Sequence, residues 1–349
     1  MKNQRIKVLS IDGGGIRGII PGTILNYIET EIQRLKGDDV RLADYFDLIA
    51  GTSTGGILTC CYLIPDDKGN SKYTTQYALD IYLKEGPQIF QLGAWQKIKS
   101  LFGIARPKYS TNSIERELKN YFGDTKIFDL RRPCIVTSYD SSNRKTLFFN
   151  QADKAKYPNR NYLVRDIARA TSAAPTYFKP TSFKIDKADK KPSLVDGGVF
   201  ANNPSLSAYA EARTLDFSQI DSPGNIPHPS AKQMMMLSIG TGTVKSPYPY
   251  QKTEKWGALG WVQPVIDIMM SGNSETVHYQ LDQIFKVSGS EDYYHRIQLP
   301  LKEENSAMDD VSPENLNNLH SIGKKYIEEN SEYLDKIVKQ IIDETDPEG

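Results

Sequence analysis

Short apolar runs alternate with longer segments of helical periodicity along most of the chain. The runs are bounded by glycine, proline, aspartate or serine, as buried strands usually are. They predict strands near residues 6–12, 46–52, 133–140, 146–150, 193–197, 234–240 and 293–299. The periodic segments predict helices near residues 21–36, 54–64, 74–90, 111–122, 161–172, 203–215, 257–285 and 313–343. Strands that alternate with helices favour an α/β fold, a three-layer α/β/α sandwich with a largely parallel central sheet.

The C-terminal segment carries strong helix signals. Ser312 stands where a capping residue is preferred, and Pro313 occupies the first helical position. The pattern predicts a break near Asn330-Ser331. None of the polar stretches between the predicted elements resembles a domain linker. The sequence therefore predicts one domain over residues 1–349, with a helical C-terminal segment at about 312–343.

Composition restricts the partners of this protein more than it identifies them. The chain has 349 residues, of which 39% are hydrophobic, and this is enough for a sizeable core. Lys plus Arg and Asp plus Glu number 43 each, so nothing indicates a nucleic-acid surface. Any binding must therefore come from local patches.

The cysteines and the N-terminus bear on the compartment. Cys60, Cys61 and Cys134 are too few for a disulfide framework, and the first two are adjacent, which favours a reducing environment. Residues 1–5 pass directly into the first predicted strand without the charged, apolar and small-residue pattern of a signal peptide. No run approaches the roughly 18 apolar residues of a membrane span. We expect a cytoplasmic protein whose only contact with membranes is peripheral.

The sequence Gly51-Thr52-Ser53-Thr54-Gly55 is the first candidate for chemistry. It follows the apolar run Phe46–Ala50 and precedes a helical pattern, so it predicts a strand, a sharp turn and a helix. Such a turn displays a serine hydroxyl at the edge of a sheet as a nucleophile for acyl transfer, and the flanking glycines relieve crowding. The alternative interpretation is a tight turn with only a structural role.

A second motif, Asp12–Gly18, follows the first predicted strand and opens a helix. Its part Gly13–Gly18 matches G-x-G-x-x-G, which is typical of dinucleotide binding. That function requires an acidic residue at the end of the next strand, but this strand ends in Gly51-Thr52-Ser53. The G-K-[ST] of a phosphate-binding P-loop is absent as well. Nucleotide binding therefore fits poorly.

An oxyanion hole fits the same loop better. Consecutive glycines allow the backbone N–H groups of Gly13, Gly14 and Gly15 to turn inward beside Ser53, where a tetrahedral oxyanion would form. Arg17 can add a positive field or fix the loop. The alternative is a glycine turn that serves only close packing of helix and strand.

Asp196 is a better candidate than any histidine for the base that activates Ser53. None of the histidines, His228, His278, His295 and His320, sits in a turn beside small residues. Asp196 ends an apolar strand and is followed by Gly197 and Gly198, and parallel strands would bring it to the same edge of the sheet as Ser53. A dry pocket would raise the pKa of an aspartate and let it act as the base. Asp12 has the same setting and stays open as a candidate, and a turn-capping role for Asp196 also stays open.

With these motifs the chain resembles the patatin-like phospholipase family. The sequences Asp12–Gly18, Gly51–Gly56 and Asp196–Gly198 occur in that family's order. Further stretches resemble the plant storage patatins: Arg41–Asp47, Ser172–Phe178, Lys232–Met234 through Thr241–Thr243, Lys255–Gly257 and Met308–Asp310. The resemblance extends from about residue 5 to about residue 330.

The resemblance implies a serine lipid acyl hydrolase that acts on phospholipids or galactolipids, at a transient membrane surface and without metal or other cofactor. It implies that Ser53 is the nucleophile, that Asp196 is the base and that Gly13, Gly14 and Gly15 form the oxyanion hole. The supporting residues would be Arg17, Thr54 and Gly197. The stretch Val199–Pro204 resembles bacterial members, and plant patatins carry a secretory signal, so we expect a bacterial or cytosolic enzyme.

Two rival functions remain at this point. One is a serine esterase with a Ser-His-Asp triad that uses His278 or His295, and the other is a non-catalytic, nucleotide-responsive binding protein.

Two apolar segments are candidates for lipid contact. Residues 95–104 place Trp95, Leu101 and Phe102 on one helical face, and a later helix carries Trp256, Trp261, Ile266, Ile268, Met269 and Met270. Core packing is the expected role of both.

Overall fold

The computed structural model describes residues 4–89, 109–185, 191–220, 224–244, 247–305 and 307–343. The predicted apolar face of residues 95–104 lies outside this part of the chain. The strands of the described part are β1 (Ile6–Ile11), β2 (Leu48–Gly51), β3 (Cys134–Asp140), β4 (Lys145–Asn150), β5 (Leu194–Asp196), β6 (Met234–Ile239), β7 (Thr243–Val244), β8 (Tyr294–Ile297) and β9 (Pro300–Leu301). Each predicted strand is confirmed, while the two short strands β7 and β9 were not predicted.

The central sheet is mostly parallel. Within the described residues it has seven strands in the order β4-β3-β2-β1-β6-β8, with β5 also paired to β3. Strands β1, β2, β3, β6 and β8 run parallel to one another, whereas β4 and β5 run antiparallel to β3. Strands β7 and β9 form a separate parallel pair.

Helices cover both faces of this sheet. They are α1 (Ile19–Lys36), α2 (Thr54–Leu63), α3 (Thr75–Asp80), α4 (Gly86–Ile89), α5 (Thr111–Phe122), α6 (Val164–Thr171), α7 (Gly198–Ala201), α8 (Ser205–Thr214), α9 (Tyr250–Thr253), α10 (Ala258–Val287), α11 (Pro313–Glu329) and α12 (Ser331–Asp343). The π-helical residues Ile81–Glu85 join α3 to α4. No helix of the described residues is long and apolar enough to cross a membrane.

The alternation of side chains along β1 explains the layers. Leu9 and Ile11 belong to the core beneath α1, α2, α11 and α12, whereas Ile6 and Val8 belong to the core beneath α8 and α10. Because successive residues of a strand point to opposite faces, a strand buried along its whole length requires cover on both sides of the sheet. The predicted three-layer α/β/α sandwich with a largely parallel sheet is confirmed.

The C-terminal helical segment begins and breaks where the sequence predicts. The Ser312 side chain accepts a hydrogen bond from the Asn315 N–H, with Pro313 at the first helical position. Asn330 leaves the helical conformation and separates α11 from α12. Both helices contribute buried residues to the core beside α1, among them Leu319 and Ile337.

One expectation about the sheet is wrong. Asp196 was expected to reach the edge beside Ser53 on a parallel strand, but β5 is antiparallel to β3, with Asp196 opposite Ser138. β2 pairs with the first residues of β3 and then turns away at Gly51. β5 occupies the edge of β3 that β2 leaves free and runs back toward the end of β2. Asp196 and Ser53 therefore meet, although their strands run in opposite directions.

Candidate active site

Ser53 occupies the strained turn between β2 and α2. Its backbone φ and ψ are 54° and −120°, a conformation that is unfavourable for a residue with a Cβ. A Cβ on Gly51 would overlap the carbonyl group of Gly55, and a Cβ on Gly55 would overlap the carbonyl group of Ile11. The two glycines are thus required by the close approach of α2 to the sheet, and the turn presents the half-buried Ser53 to a cavity.

Two side chains hold Ser53 from opposite directions. Its backbone N–H donates to the Thr171 Oγ1 at 2.8 Å. Its side chain interacts with the carboxylate of Asp196 and acts to lower the pKa of that group. Both Ser53 and Asp196 line the same cavity. The structure therefore brings together the two residues that the sequence singled out for a nucleophile and its base.

Burial changes the acid strength of Asp196. The side chain is 4% exposed, and burial raises its pKa to about 7 because a charged carboxylate is poorly solvated there. Hydrogen bonds from Ser53 and from the Gly198 N–H, the latter at 2.7 Å, offset part of that rise. Gly197 lets the chain approach β3, since a Cβ there would overlap the Thr137 side chain. A carboxylate with this pKa can accept a proton near neutral pH.

The glycine-rich loop offers fewer donors than the sequence suggests. The Gly13 N–H donates to the Asn202 carbonyl oxygen at 3.0 Å, so Gly13 is not an available oxyanion donor. The N–H groups of Gly14 and Gly15 have no hydrogen-bond partner among the described residues, and both residues line the cavity. The candidate oxyanion donors are therefore Gly14 and Gly15. This correction depends on the contact with Asn202, which is distant in sequence.

The loop is fixed by contacts from two other segments. The Thr241 Oγ1 donates to the Gly13 carbonyl oxygen at 2.7 Å, and the Ile16 N–H donates to the Met308 carbonyl oxygen at 2.8 Å. Gly15 has a φ of 59°, and a Cβ there would overlap the Met308 carbonyl group. The glycines of the loop thus serve close packing as well as leaving N–H groups free.

Arg17 and Thr54 lie at the cavity wall beside this loop. The Arg17 side chain is buried, and its Nε has no hydrogen-bond partner among the described residues. Burial lowers the pKa of Arg17, while the nearby carboxylate of Asp267 acts in the opposite direction. The Thr54 hydroxyl donates to the Tyr82 hydroxyl at 2.7 Å and anchors the start of α2. Arg17 and Thr54 therefore both lie at the cavity wall, and Thr54 also holds the start of α2.

Asp12, the other candidate base, is differently placed. Its carboxylate accepts hydrogen bonds from both terminal nitrogens of Arg296, at 2.9 and 2.6 Å, and from the Ser274 hydroxyl at 3.1 Å. Asp12 does not line the cavity with Ser53. Its role is to join β1 to β8 and α10.

The histidines do not assemble a triad with Ser53. All of them lie within the described part of the chain, and none of them lines the cavity. The ring nitrogens contact polar side chains elsewhere: His278 Nδ1 lies 3.1 Å from the Tyr294 hydroxyl, His295 Nδ1 lies 3.0 Å from the Tyr333 hydroxyl, and His320 Nδ1 lies 3.0 Å from Thr23 Oγ1. A Ser-His-Asp arrangement with His278 or His295 is contradicted by these positions.

The cavity has a volume of about 490 Å³ and mostly apolar walls. Its buried end is formed by side chains of α2 and α5, among them Cys61, Ile114 and Leu118. Its exposed lining residues, which mark the mouth, include Val199, Tyr248 and Met269 together with Pro175, Glu303 and Ala307. The expectation that α10 is core packing is wrong for its first half, since Ile266, Met269 and Met270 line the cavity. A cavity of this size and polarity fits an acyl chain.

Some residues of the site carry no signal in the sequence. Thr171 contacts the Ser53 backbone only because α6 ends beside the turn, and Arg296 reaches Asp12 across 284 residues of chain. The hydroxyl of Thr52, next to the nucleophile, donates to the Ala201 carbonyl oxygen at 2.6 Å. These contacts depend on tertiary packing, so no local pattern identifies them.

The comparisons with known proteins agree with the geometry. A family model described as patatin-like phospholipase matches residues 9–209. Patatin-like protein 1 of Arabidopsis thaliana is 34% identical over 338 residues, which cover 92% of this chain and 81% of that protein. The probable inactive patatin-3-Kuras 1 of Solanum tuberosum is 33% identical over 333 residues, which cover 93% and 87%.

One solved structure aligns with most of this chain, but the similarity is weak. VipD from Legionella pneumophila matches with a TM-score of 0.31 and 11% identity, and the match covers 99% of this chain and 81% of that one. This likeness is too low to inform the fold.

Proposed function

The chain belongs to the patatin-like phospholipase family, a family of lipid acyl hydrolases, and on that premise we propose that it hydrolyses carboxylic esters of membrane lipids with a Ser53–Asp196 dyad. The observation that carries the proposal is that Ser53, held in a strained turn, and the buried Asp196 interact at one cavity, where burial raises the pKa of Asp196 to about 7. The pair lines an apolar cavity. A serine hydroxyl is a weak nucleophile on its own, and an adjacent base activates it.

The first half of the reaction transfers the acyl group to the enzyme. The Ser53 Oγ attacks the ester carbonyl carbon, and its proton passes to the Asp196 carboxylate as the new C–O bond forms. The carbonyl oxygen becomes an oxyanion, which the N–H groups of Gly14 and Gly15 stabilise, each by about 3 kcal/mol. The bond to the leaving alkoxy group then breaks, and the departing oxygen takes the proton from Asp196.

The second half releases the acyl group. A water molecule attacks the acyl carbon while Asp196 accepts one of its protons. Collapse of the second tetrahedral species frees the fatty acid, and Ser53 recovers its proton from Asp196. The same oxyanion site serves both halves because both pass through the same geometry at the carbonyl oxygen.

The substrate class follows from the cavity. Its apolar walls would hold the acyl chain, and Arg17 and the carboxylates of Asp267 and Asp309, which also line the cavity, would provide polar contacts. We propose phospholipids or galactolipids as substrates, since both present an ester bond between an acyl chain and a polar head group. Regiochemistry is then set by which ester reaches Ser53.

The test compares two serines of the same cavity. Ser53→Ala should abolish hydrolysis of p-nitrophenyl decanoate and of phosphatidylcholine or digalactosyldiacylglycerol vesicles, and should remove labelling by a fluorophosphonate. The control is Ser172→Ala, because Ser172 also lines the cavity but its hydroxyl donates to the Ala168 carbonyl oxygen at 2.8 Å. The control should keep activity within about tenfold. Turnover retained in a clean Ser53→Ala preparation would overturn the proposal.

A further inference from the structure

A group of apolar and aromatic side chains is left exposed around the cavity mouth. We call it the mouth surface, and its members are Tyr248, Tyr250, Trp256, Trp261, Val265, Ile268 and Met269. Tyr250 is 73% exposed and Met269 is 56% exposed, which is unusual for large apolar side chains of a folded protein. The two tryptophans are half-buried.

Helical spacing and ring contacts join all of these residues except Tyr250 into one surface. Trp261, Val265, Ile268 and Met269 follow the spacing of a single face of α10. The Trp256 ring contacts the Tyr248 ring at 5.6 Å and the Trp261 ring at 5.2 Å, both edge-on, and so ties the segment around α9 to the start of α10. The mouth surface is thus a packed structural unit with its outer side uncovered.

The mouth surface continues into the cavity. Tyr248 and Met269 are exposed on its outer side and also line the cavity that contains Ser53. Val199 is likewise both exposed and part of the cavity lining. An acyl chain could pass along these side chains from outside the protein to Ser53 without crossing water.

We infer that the mouth surface docks on a lipid bilayer and delivers lipid directly from it to the cavity. This inference rests on the proposed function, because the substrate is then a component of the surface that the protein contacts. Tryptophan and tyrosine are favoured at the boundary between head groups and acyl chains, since their rings are apolar and their tips polar. A protein partner would have to leave the cavity mouth uncovered for lipid to enter, whereas a bilayer supplies the lipid itself.

The charges beside the mouth surface indicate which bilayers it binds. The exposed Lys252 and Lys255 flank the exposed Glu254, and the carboxylates of Asp267 and Glu303 lie near Tyr248, so these groups give the mouth surface no net positive charge. Residues 247–270, which carry the mouth surface, contain no two consecutive basic residues. Apolar contact therefore dominates, and the surface should bind zwitterionic bilayers without a requirement for anionic lipid.

The test separates docking from catalysis. Partition onto phosphatidylcholine vesicles is measured by flotation in the Ser53→Ala protein, so that hydrolysis does not alter the vesicles. Val265→Ser with Ile268→Ser should lower the partition coefficient at least tenfold. Val287→Ser is the matched control, because Val287 is 89% exposed on the same helix, about 28 Å beyond Ile268, and it should change nothing.

A second measurement does not depend on substitutions in the mouth surface. In a Trp95→Phe protein the remaining tryptophans are Trp256 and Trp261, and their fluorescence should be quenched by vesicles whose lipids carry bromine on the acyl chains. Equal partition of the double variant and of Val287→Ser, or the absence of quenching, would overturn the inference. So would a dimer in light scattering that the double variant dissociates, since a second copy would then cover the surface.

The two proposals fail in different ways. If the docking inference is wrong, hydrolysis of soluble p-nitrophenyl butyrate persists while vesicle binding does not depend on Val265 and Ile268. If the proposed function is wrong, ester hydrolysis is absent or survives Ser53→Ala, whatever the vesicle binding. Neither Val265 nor Ile268 lines the cavity, so the double variant should hydrolyse the soluble ester within about twofold of the wild-type rate.

Discussion

Asp12 and Asp196 are both buried carboxylates at strand ends, and the groups around them give them different chemistry. Arg296 pairs with Asp12 through both of its terminal nitrogens. Asp196 receives hydrogen bonds from Ser53 and Gly198, and the causes of its raised pKa include no neighbouring cation among the described residues. At the scale of single residues, the absence of a compensating charge is what leaves Asp196 able to exchange a proton near neutral pH.

The pH dependence of the reaction follows from the Asp196 pKa of about 7. The carboxylate accepts a proton only when it is ionised, so kcat/KM should fall about tenfold per pH unit below that pKa and reach a plateau above it. A series of p-nitrophenyl ester assays from pH 4 to pH 9 measures the midpoint. Asp196→Asn should lower the plateau by about a thousandfold or more and abolish this dependence. A midpoint near pH 4 would show that the base is not buried in this way.

Gly14 tests the oxyanion hole. A Cβ at Gly14 would overlap the Thr241 side chain and displace the loop that carries the free N–H groups. We expect Gly14→Ala to lower kcat by about a hundredfold or more, the effect of losing one such donor. Gly272→Ala is the control, because nothing lies within 4 Å of a Cβ there and the residue is in a helix. A normal kcat with a lowered Tm would assign the glycine to packing alone.

At the scale of elements, the site depends on where three segments end. β2 ends at Gly51 and frees an edge of β3, β5 fills that edge and delivers Asp196, and α6 ends at Thr171 beside the Ser53 backbone. The strained Ser53 conformation persists because these contacts hold it. Displacement of any one of these ends would move the nucleophile relative to its base.

Thr171 is a positioning residue that tests this dependence. Thr171→Val keeps the shape but removes the acceptor of the Ser53 N–H, and leaves that partly buried donor without its partner, at a cost of about 1–3 kcal/mol. We expect kcat to fall about tenfold with KM nearly unchanged, and Thr171→Ser to restore it. Full activity of Thr171→Val would mean that the turn is held without this hydrogen bond.

The elements themselves could be predicted from sequence, but their mutual placement could not. Periodicity identified β1, β2 and α2 and the turn at Ser53, because each is encoded by neighbouring residues. The direction of β5 depends on which edge of β3 is free, and the loss of Gly13 as a donor depends on Asn202. Both are contacts between distant segments. Proximity of Ser53 to Asp196 was predicted correctly, but from a parallel arrangement that does not exist.

At the scale of the whole molecule, one cavity connects the buried core to the surface. It runs from Leu118 and Ile114 at its buried end, past Ser53, to Met269 at its mouth. Its lining residues extend from Gly14 to Asp309 along the chain, so its shape depends on many separate segments of the fold. The single domain over residues 1–349, the cytoplasmic location and the bacterial source stay predictions.

The size of this cavity should determine which acyl-chain length gives the highest kcat/KM. Burial of each methylene is worth about 0.8 kcal/mol, so kcat/KM should rise about fourfold per methylene from acetyl esters until the cavity is filled. A series of p-nitrophenyl esters from acetyl to dodecanoyl measures the optimum. Leu118→Phe, which fills the buried end, should move the optimum to shorter chains and leave acetyl esters nearly unaffected. A preference of the wild type for acetyl esters would count against lipid as the substrate.

The central claim is that Ser53 carries the acyl group of a lipid during turnover, and trapping that intermediate tests it most directly. The protein is mixed with phosphatidylcholine or a galactolipid, quenched in acid within the first turnover, digested and analysed by mass spectrometry. The account predicts one acyl chain on the peptide that contains Ser53, and its absence in Ser53→Ala. An acyl chain on another residue, or hydrolysis with no acylated peptide at any time, would contradict it.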